Sequence, residues 1–124
     1  MSRYDEPISV GSHRHGQALV VPVPEPLTDA AVGAMEAHVL PELRSHELKA
    51  LDLDFGAVDS IDTHALKRCE QLLRGARLLG ARVALAAFRP HVAATCIELG
   101  FAFEREIVTH SVNAATQQIL ESRG

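Results

Sequence analysis

Hydroxyl and carboxylate side chains crowd one short stretch, Asp54 to Cys69, which reads DFGAVDSIDTHALKRC. Asp59, Ser60, Asp62 and Thr63 fall where a strand-like run gives way to a helix-like one. Two chemistries follow from those residue types. Asp62 or Thr63 accepts amide protons at a helix start, where acidic side chains also complement the dipole. A hydroxyl held outward at a helix N-terminus is also a good phosphoryl acceptor, because the free amides there tolerate a dianion. Capping needs only one of these residues, so the others ask for a second role.

Other reactive residues argue for less. His13 and His15 share one side of an extended segment, but two histidines without a third or fourth ligand rarely hold zinc, and they read as part of a solvated hairpin. No metal or other cofactor is expected. His38, His46, His91 and His110 are scattered. Asp52 and Asp54 lie on the strand face away from Leu51 and Leu53, and Asp59 and Asp62 lie in a loop. No apolar pocket is visible to raise a carboxyl pKa in either set. Nucleophile-elbow, P-loop and dinucleotide-binding patterns are absent from the chain. Catalysis by this chain alone is not expected.

Composition narrows the classes further. A chain of 124 residues is expected to form a single domain, 1–124, around one core. Its formal charge of −4 is no electrostatic footprint for nucleic acid, and one tyrosine with no tryptophan leaves little for base stacking. Cys69 and Cys96 sit in apolar helical patterns and read as small buried hydrophobes of a reducing compartment. The N-terminal MSRYDEPISV lacks the apolar run of a signal peptide, and no segment approaches a membrane span. The expected location is cytoplasmic, with neither nucleic acid nor membrane as partner.

The elements that must position the acidic loop follow from hydrophobic period. Pro7 to Val10 reads as a short strand, Gly11 to Gln17 as a hairpin loop, and Ala18 to Val23 as a second strand. Thr28 caps a helix whose stripe is Val32, Met35 and Val39 with Ala31 beside it, and Pro41 predicts a kink or an end near Val39. In LKALDLDFGAV, Leu51, Leu53 and Phe55 point one way and Asp52 and Asp54 the other. From Asp62 the period becomes helical: Ala65, Leu66, Cys69, Leu72, Leu73, Ala76 and Leu79 form one face, and Gly80 stops it. Gly75 within this helix costs about 1 kcal/mol against alanine, which suggests a close contact there. Ala81 to Phe88 is an almost continuously apolar strand, suited to cover on both faces. Arg89-Pro90 opens a helix with Val92, Cys96 and Leu99 inward, flanked by Ala93 and Ile97, and Gly100 ends it. Phe101, Phe103, Ile107 and Val108 belong to a last edge segment, and Ser111 caps a final helix with Val112, Ala115 and Ile119 inward. The order β-β-α-β-α-β-α-β-α implies an α/β fold: a four- to five-stranded mixed sheet, parallel but for its first hairpin, flanked by four helices.

Three segments taken together resemble one family. VDSIDT, ARLLGARVALAAF and RPHVAATCIELG are similar to STAS domains, the bacterial anti-sigma factor antagonists, and most similar to stressosome proteins of the RsbS type and the C-terminal domain of RsbR. The similarity is strongest from about Leu51 to Gly100, and the element order matches over nearly the whole chain. The family's phospho-acceptor directly follows the aspartate that ends the loop, which here makes it Thr63 after Asp62. The resemblance implies that Thr63 is phosphorylated by a switch serine/threonine kinase and reset by a PP2C-type phosphatase. Asp59, Ser60, Asp62 and His64 would then form the loop a partner reads. His64 stands where simple antagonists carry a nearby glycine, which points to the stressosome branch. Threonine as acceptor is shared with the larger sensor-bearing paralogue, yet the chain has no room for a sensor domain, so it looks like the stand-alone scaffold. The paralogue's second acceptor aligns near Asp29, a fixed negative charge, with Thr28 beside it.

The resemblance implies a stress-response signalling protein that sequesters or regulates a kinase and assembles with itself or with paralogous STAS sensors. Three alternatives compete: a non-switching structural STAS subunit in which Thr63 is merely a cap, a small-ligand module, and a STAS subunit of a lipid or anion transport system.

Overall fold

The computed structural model describes residues 8–103 and 105–121. Its elements are β1 (His13–His15), β2 (Ala18–Pro22), α1 (Asp29–Ser45), β3 (Ala50–Asp54), α2 (Thr63–Leu78), β4 (Arg82–Ala86), α3 (Pro90–Glu98), β5 (Ile107–Thr109) and α4 (Val112–Glu121). This is the expected β-β-α-β-α-β-α-β-α order. The five strands form one sheet in the order β1-β2-β3-β4-β5, with β1 antiparallel to β2 and every other neighbour parallel.

Period-two alternation sorts the side chains of the central strands by size. Leu19, Val21, Leu51, Leu53, Val83 and Leu85 lie in one core with the apolar faces of α1, α2 and α3. Ala18, Ala50, Ala84 and Ala86 face the other way, onto Ala115 and Ile119 of α4. β4 is buried on both faces from Val83 to Ala86, as its continuous apolar run predicts. The two long helices touch closely at Gly75, where a Cβ would stand 3.1 Å from Leu40 Cδ1. That approach accounts for a glycine inside α2.

Four expectations need correction. The first strand is His13–His15, inside the stretch read as a loop; Ile8 to Val10 carry no strand, and Pro7 lies outside the described residues. β1 buries none of its side chains, so its pairing leaves no apolar alternation to read. It is set by the backbone ladder to β2 and a two-residue turn in which Gly16 takes φ +61°. α1 runs through Pro41 to Ser45 and does not end near Val39. Pro41 is exposed, where a lost amide bond is tolerable, and beyond it Leu43 and Leu48 are buried and hold the chain down. Leu79 and Leu99, assigned to core faces, are 41% and 39% exposed, because each lies past the last turn of its helix. Phe101 and Phe103 precede β5 and form an aromatic cluster with Phe88 and Phe55.

Candidate functional site

The loop from Gly56 to Asp62 leaves the C-terminal end of β3, and its alternating residue types hold it in place. Val58 and Ile61 are buried in the main core, while Asp59, Ser60, Asp62, Thr63 and His64 are exposed. Two apolar anchors thus pin a short polar arch to the sheet edge. The Gly56 amide donates to Asp54 Oδ1 at 2.8 Å, and the Val58 amide donates to the Phe55 carbonyl at 3.0 Å. These bonds fix the turn out of the strand.

Asp62 caps α2. Its Oδ1 accepts from the Ala65 amide at 2.8 Å, and its backbone is extended as a cap requires. Thr63 is therefore the first helical residue and not the cap. It is exposed, beside the cap carboxylate and the free amides of the first turn. A phosphoryl group on its oxygen would meet those amides and the positive helix end.

Residues distant in sequence brace the arch. Arg89, which precedes α3, donates through Nε to the Gly56 carbonyl at 3.2 Å and through Nη1 to Asp59 Oδ1 at 3.1 Å. His91 Nε2 donates to the Asp59 carbonyl at 2.8 Å and lies 3.3 Å from Asp59 Oδ1. On the other side the Asp59 amide donates to Glu25 Oε2 at 2.6 Å. Asp59 is thus tied into the frame of the loop while staying exposed, and Ser60, Asp62, Thr63 and His64 are exposed beside it. Arg89, His91 and Glu25 were not singled out from the sequence. Their one visible signal is the Arg89-Pro90 start of α3, which places a cation at the strand end next to β3.

A second helix start stands beside the first. Thr28 caps α1, its Oγ1 accepting from the Ala31 amide at 3.0 Å. Leu27, Thr28 and Asp29 on one side and Ser60, Asp62 and His64 on the other line an open groove. Arg68 of α2 reaches back over Gly33 to within 3.9 Å of Asp29 and ties the two helices together below that groove. The remaining predicted candidates are not brought here. His13 and His15 lie at the far sheet edge on β1, and Asp52 lies on the α4 face of β3. Among the described residues no group of three or more His, Cys, Asp or Glu side chains is placed to hold a metal ion. Cys69 and Cys96 are free and buried, and burial pushes their thiols up to about 12 and about 11. At those values they are inert. No helix among the described residues is long and apolar enough to cross a membrane.

Residues 10–115 match the STAS domain family. No curated protein matches the chain. Solved structures do. A serine-to-glutamate variant of RsbS from Moorella thermoacetica gives a TM-score of 0.80 at 22% identity, over 90% of this chain and 95% of that one. A chain from the molecular architecture of the stressosome, a signal integration and transduction hub, gives 0.79 at 22% identity, over 90% and 96%. SpoIIAA, an anti-sigma factor antagonist in its unphosphorylated form, gives 0.70 at 12% identity, over 92% and 100%. At these identities the likeness is one of fold.

Proposed function

Because this chain belongs to the STAS domain family of regulatory, generally non-catalytic protein–protein interaction modules, we propose that it is a stressosome-type anti-sigma factor antagonist switched at Thr63. In this reading the arch from Gly56 to His64 docks a switch serine/threonine kinase, which phosphorylates Thr63, and a PP2C-type phosphatase restores the unmodified form. Paralogous STAS sensors would share the assembly. The observation that carries the proposal is the division of labour at the start of α2: Asp62 holds the cap, so Thr63 is exposed with no capping duty. The fold likeness to the RsbS variant and to SpoIIAA supports it.

The switch is electrostatic. Phosphorylation adds about −1.5 to −2 charges at neutral pH. They arrive beside Asp59 and Asp62, both exposed. The α2 amides tolerate the phosphate within the fold, but a partner built to meet the unmodified loop faces a new dianion. A loss of about 3 kcal/mol in docking would weaken the complex roughly a hundredfold. Arg89 and His91 keep the arch from yielding, so the added charge stays at the surface.

The test is calorimetric binding of the wild-type chain, Thr63→Ala and Thr63→Glu to the cognate switch kinase, with phosphate incorporation followed by mass spectrometry. Thr63→Ala should bind like wild type and take up no phosphate at the loop. Thr63→Glu should bind at least tenfold more weakly. Equal affinity of all three, or phosphate on another residue, overturns the switch.

A further inference from the structure

The sheet face under α4 carries a polar pair that the loop does not use. Its floor is small: Ala18, Ala50, Ala84 and Ala86 meet Ala115 and Ile119. In the middle of that floor Asp52 is fully buried. Its Oδ2 accepts from Thr116 Oγ1 of α4 at 2.6 Å. Its Oδ1 is also buried and has no hydrogen-bond partner among the described residues. A buried carboxylate ordinarily needs partners for both oxygens, whereas the neutral acid leaves no charge stranded.

The surroundings offer little to hold a charge. In the row of strand neighbours through Asp52, β2 supplies Val20, β4 supplies Ala84 and β5 supplies Ile107. The row ends at His13 on β1. Asp54 on the same strand adds like charge, and Arg82 stands one row away beside Ala50. On α4 the nearest polar group is Thr116. Glu121 lies at the end of that helix, in a cleft it shares with His13, His15 and Gln117 between α4 and β1. Burial raises the Asp52 pKa from 3.8 to about 6; the Thr116 bond opposes that rise, Asp54 adds to it and His13 opposes it.

We propose that Asp52, buried beneath α4, is a proton-linked latch: α4 lies closed on the sheet when Asp52 is protonated, and loss of that proton to solvent loosens α4 and widens the cleft beside β1, the Thr116 bond offsetting only part of that loss. α4 suits such movement. Only Ala115, Thr116 and Ile119 are buried along it, whereas α2 buries six residues. The sign follows from the raised value. Closure is strongest below about pH 4 and weakens as pH rises through about 6. The gap between 3.8 and about 6 makes closure on the order of a hundredfold weaker at neutral pH than in acid.

The experiment is hydrogen exchange of the full chain by NMR from about pH 4.5 to 7.5, corrected for intrinsic rates, with a carbon-13 titration of the Asp52 carboxyl. The Asp52 midpoint should lie near 6, and α4 amide protection should fall roughly twenty- to thirtyfold across that range while α2 holds. Asp52→Asn should keep α4 protected at every pH. Thr116→Val should raise the Asp52 midpoint, since the hydroxyl bond favours the ionised form. An Asp52 midpoint near 4, or a pH-dependent loss of α4 protection that persists in Asp52→Asn, overturns the latch. Should Asp52→Asn fail to fold, the other two arms still decide the matter: the wild-type loss of α4 protection must track the Asp52 midpoint, and Thr116→Val must move both to higher pH together, whereas a loss that stays put while the midpoint moves overturns the latch.

Discussion

Replacing Asp62 and Thr63 separately should show that adjacent residues serve the fold and the surface. Asp62→Ala removes the carboxylate that accepts from the Ala65 amide at 2.8 Å. Losing an N-cap of this kind costs about 0.5–2 kcal/mol. Loss of the negative charge from the positive helix end adds about 0.3–1 kcal/mol, so the sum should lie at about 1–3 kcal/mol. α2 itself should persist, because Ala65, Leu66, Cys69, Leu72, Leu73 and Ala76 bury its inner face. Thr63→Ala touches no cap and exchanges an exposed β-branched residue for a better helix former, so stability should move by less than about 0.5 kcal/mol. Thr63→Glu adds a favourable charge at the first turn and should gain up to about 1 kcal/mol. Urea unfolding followed by circular dichroism separates these cases. With slopes of about 1–3 kcal/mol per molar, Asp62→Ala should lower the midpoint by about 0.3–3 M. Thr63→Ala should leave it nearly unmoved. If Thr63→Ala falls as far as Asp62→Ala, the threonine is a structural residue, and the reasoning that frees it for modification fails.

Two further outcomes test the frame around that site. Leu73→Ala should destabilise the chain by about 2–5 kcal/mol in the same assay, since Leu73 is buried where α2 meets the sheet core; a negligible change would contradict the packing of α2. Arg89→Ala should cost less than about 1 kcal/mol, because its pair with Asp59 is exposed. The same variant should speed hydrogen exchange across Gly56 to Asp62, and unchanged exchange there would mean that Val58 and Ile61 hold the arch without it.

What could be read in advance depended on whether a residue's burial leaves a local period. The three central strands and α2 carry strong patterns because one or both of their faces meet helices, and their positions came out within two residues. β1 carries none, since an edge strand with His13, Arg14 and His15 all exposed obeys only the backbone ladder and the Gly16 turn. Pro41 was weighed by its local cost alone, yet the apolar anchors beyond it, Leu43 and Leu48, decide where α1 ends. The arch was legible as a polar cluster with a cap. Its bracing was not, because Glu25, Arg89 and His91 reach Asp59 across 30 or more residues of chain.

Asp52 shows the same limit from the other side. Its alternation with Leu51 and Leu53 places it correctly on the opposite face of β3, and a carboxylate on that face suggests water. Asp52 is nonetheless buried, because α4, about sixty residues later, closes over the strand and sets Thr116 against it. The clue lay in the neighbours. Ala18, Ala50, Ala84 and Ala86 are too small for a bare sheet face that needs only polarity, and suit one approached closely by a helix. An aspartate on a sheet face otherwise lined largely by alanines therefore signals a buried acid under a close-packed helix, whereas the same aspartate among lysines and threonines would signal solvent. Its cost falls on the helix that covers it, since β3 is held by backbone pairing on both sides. Ionisation is therefore expected to act on α4 first and to leave the strand that carries the Gly56 arch in place.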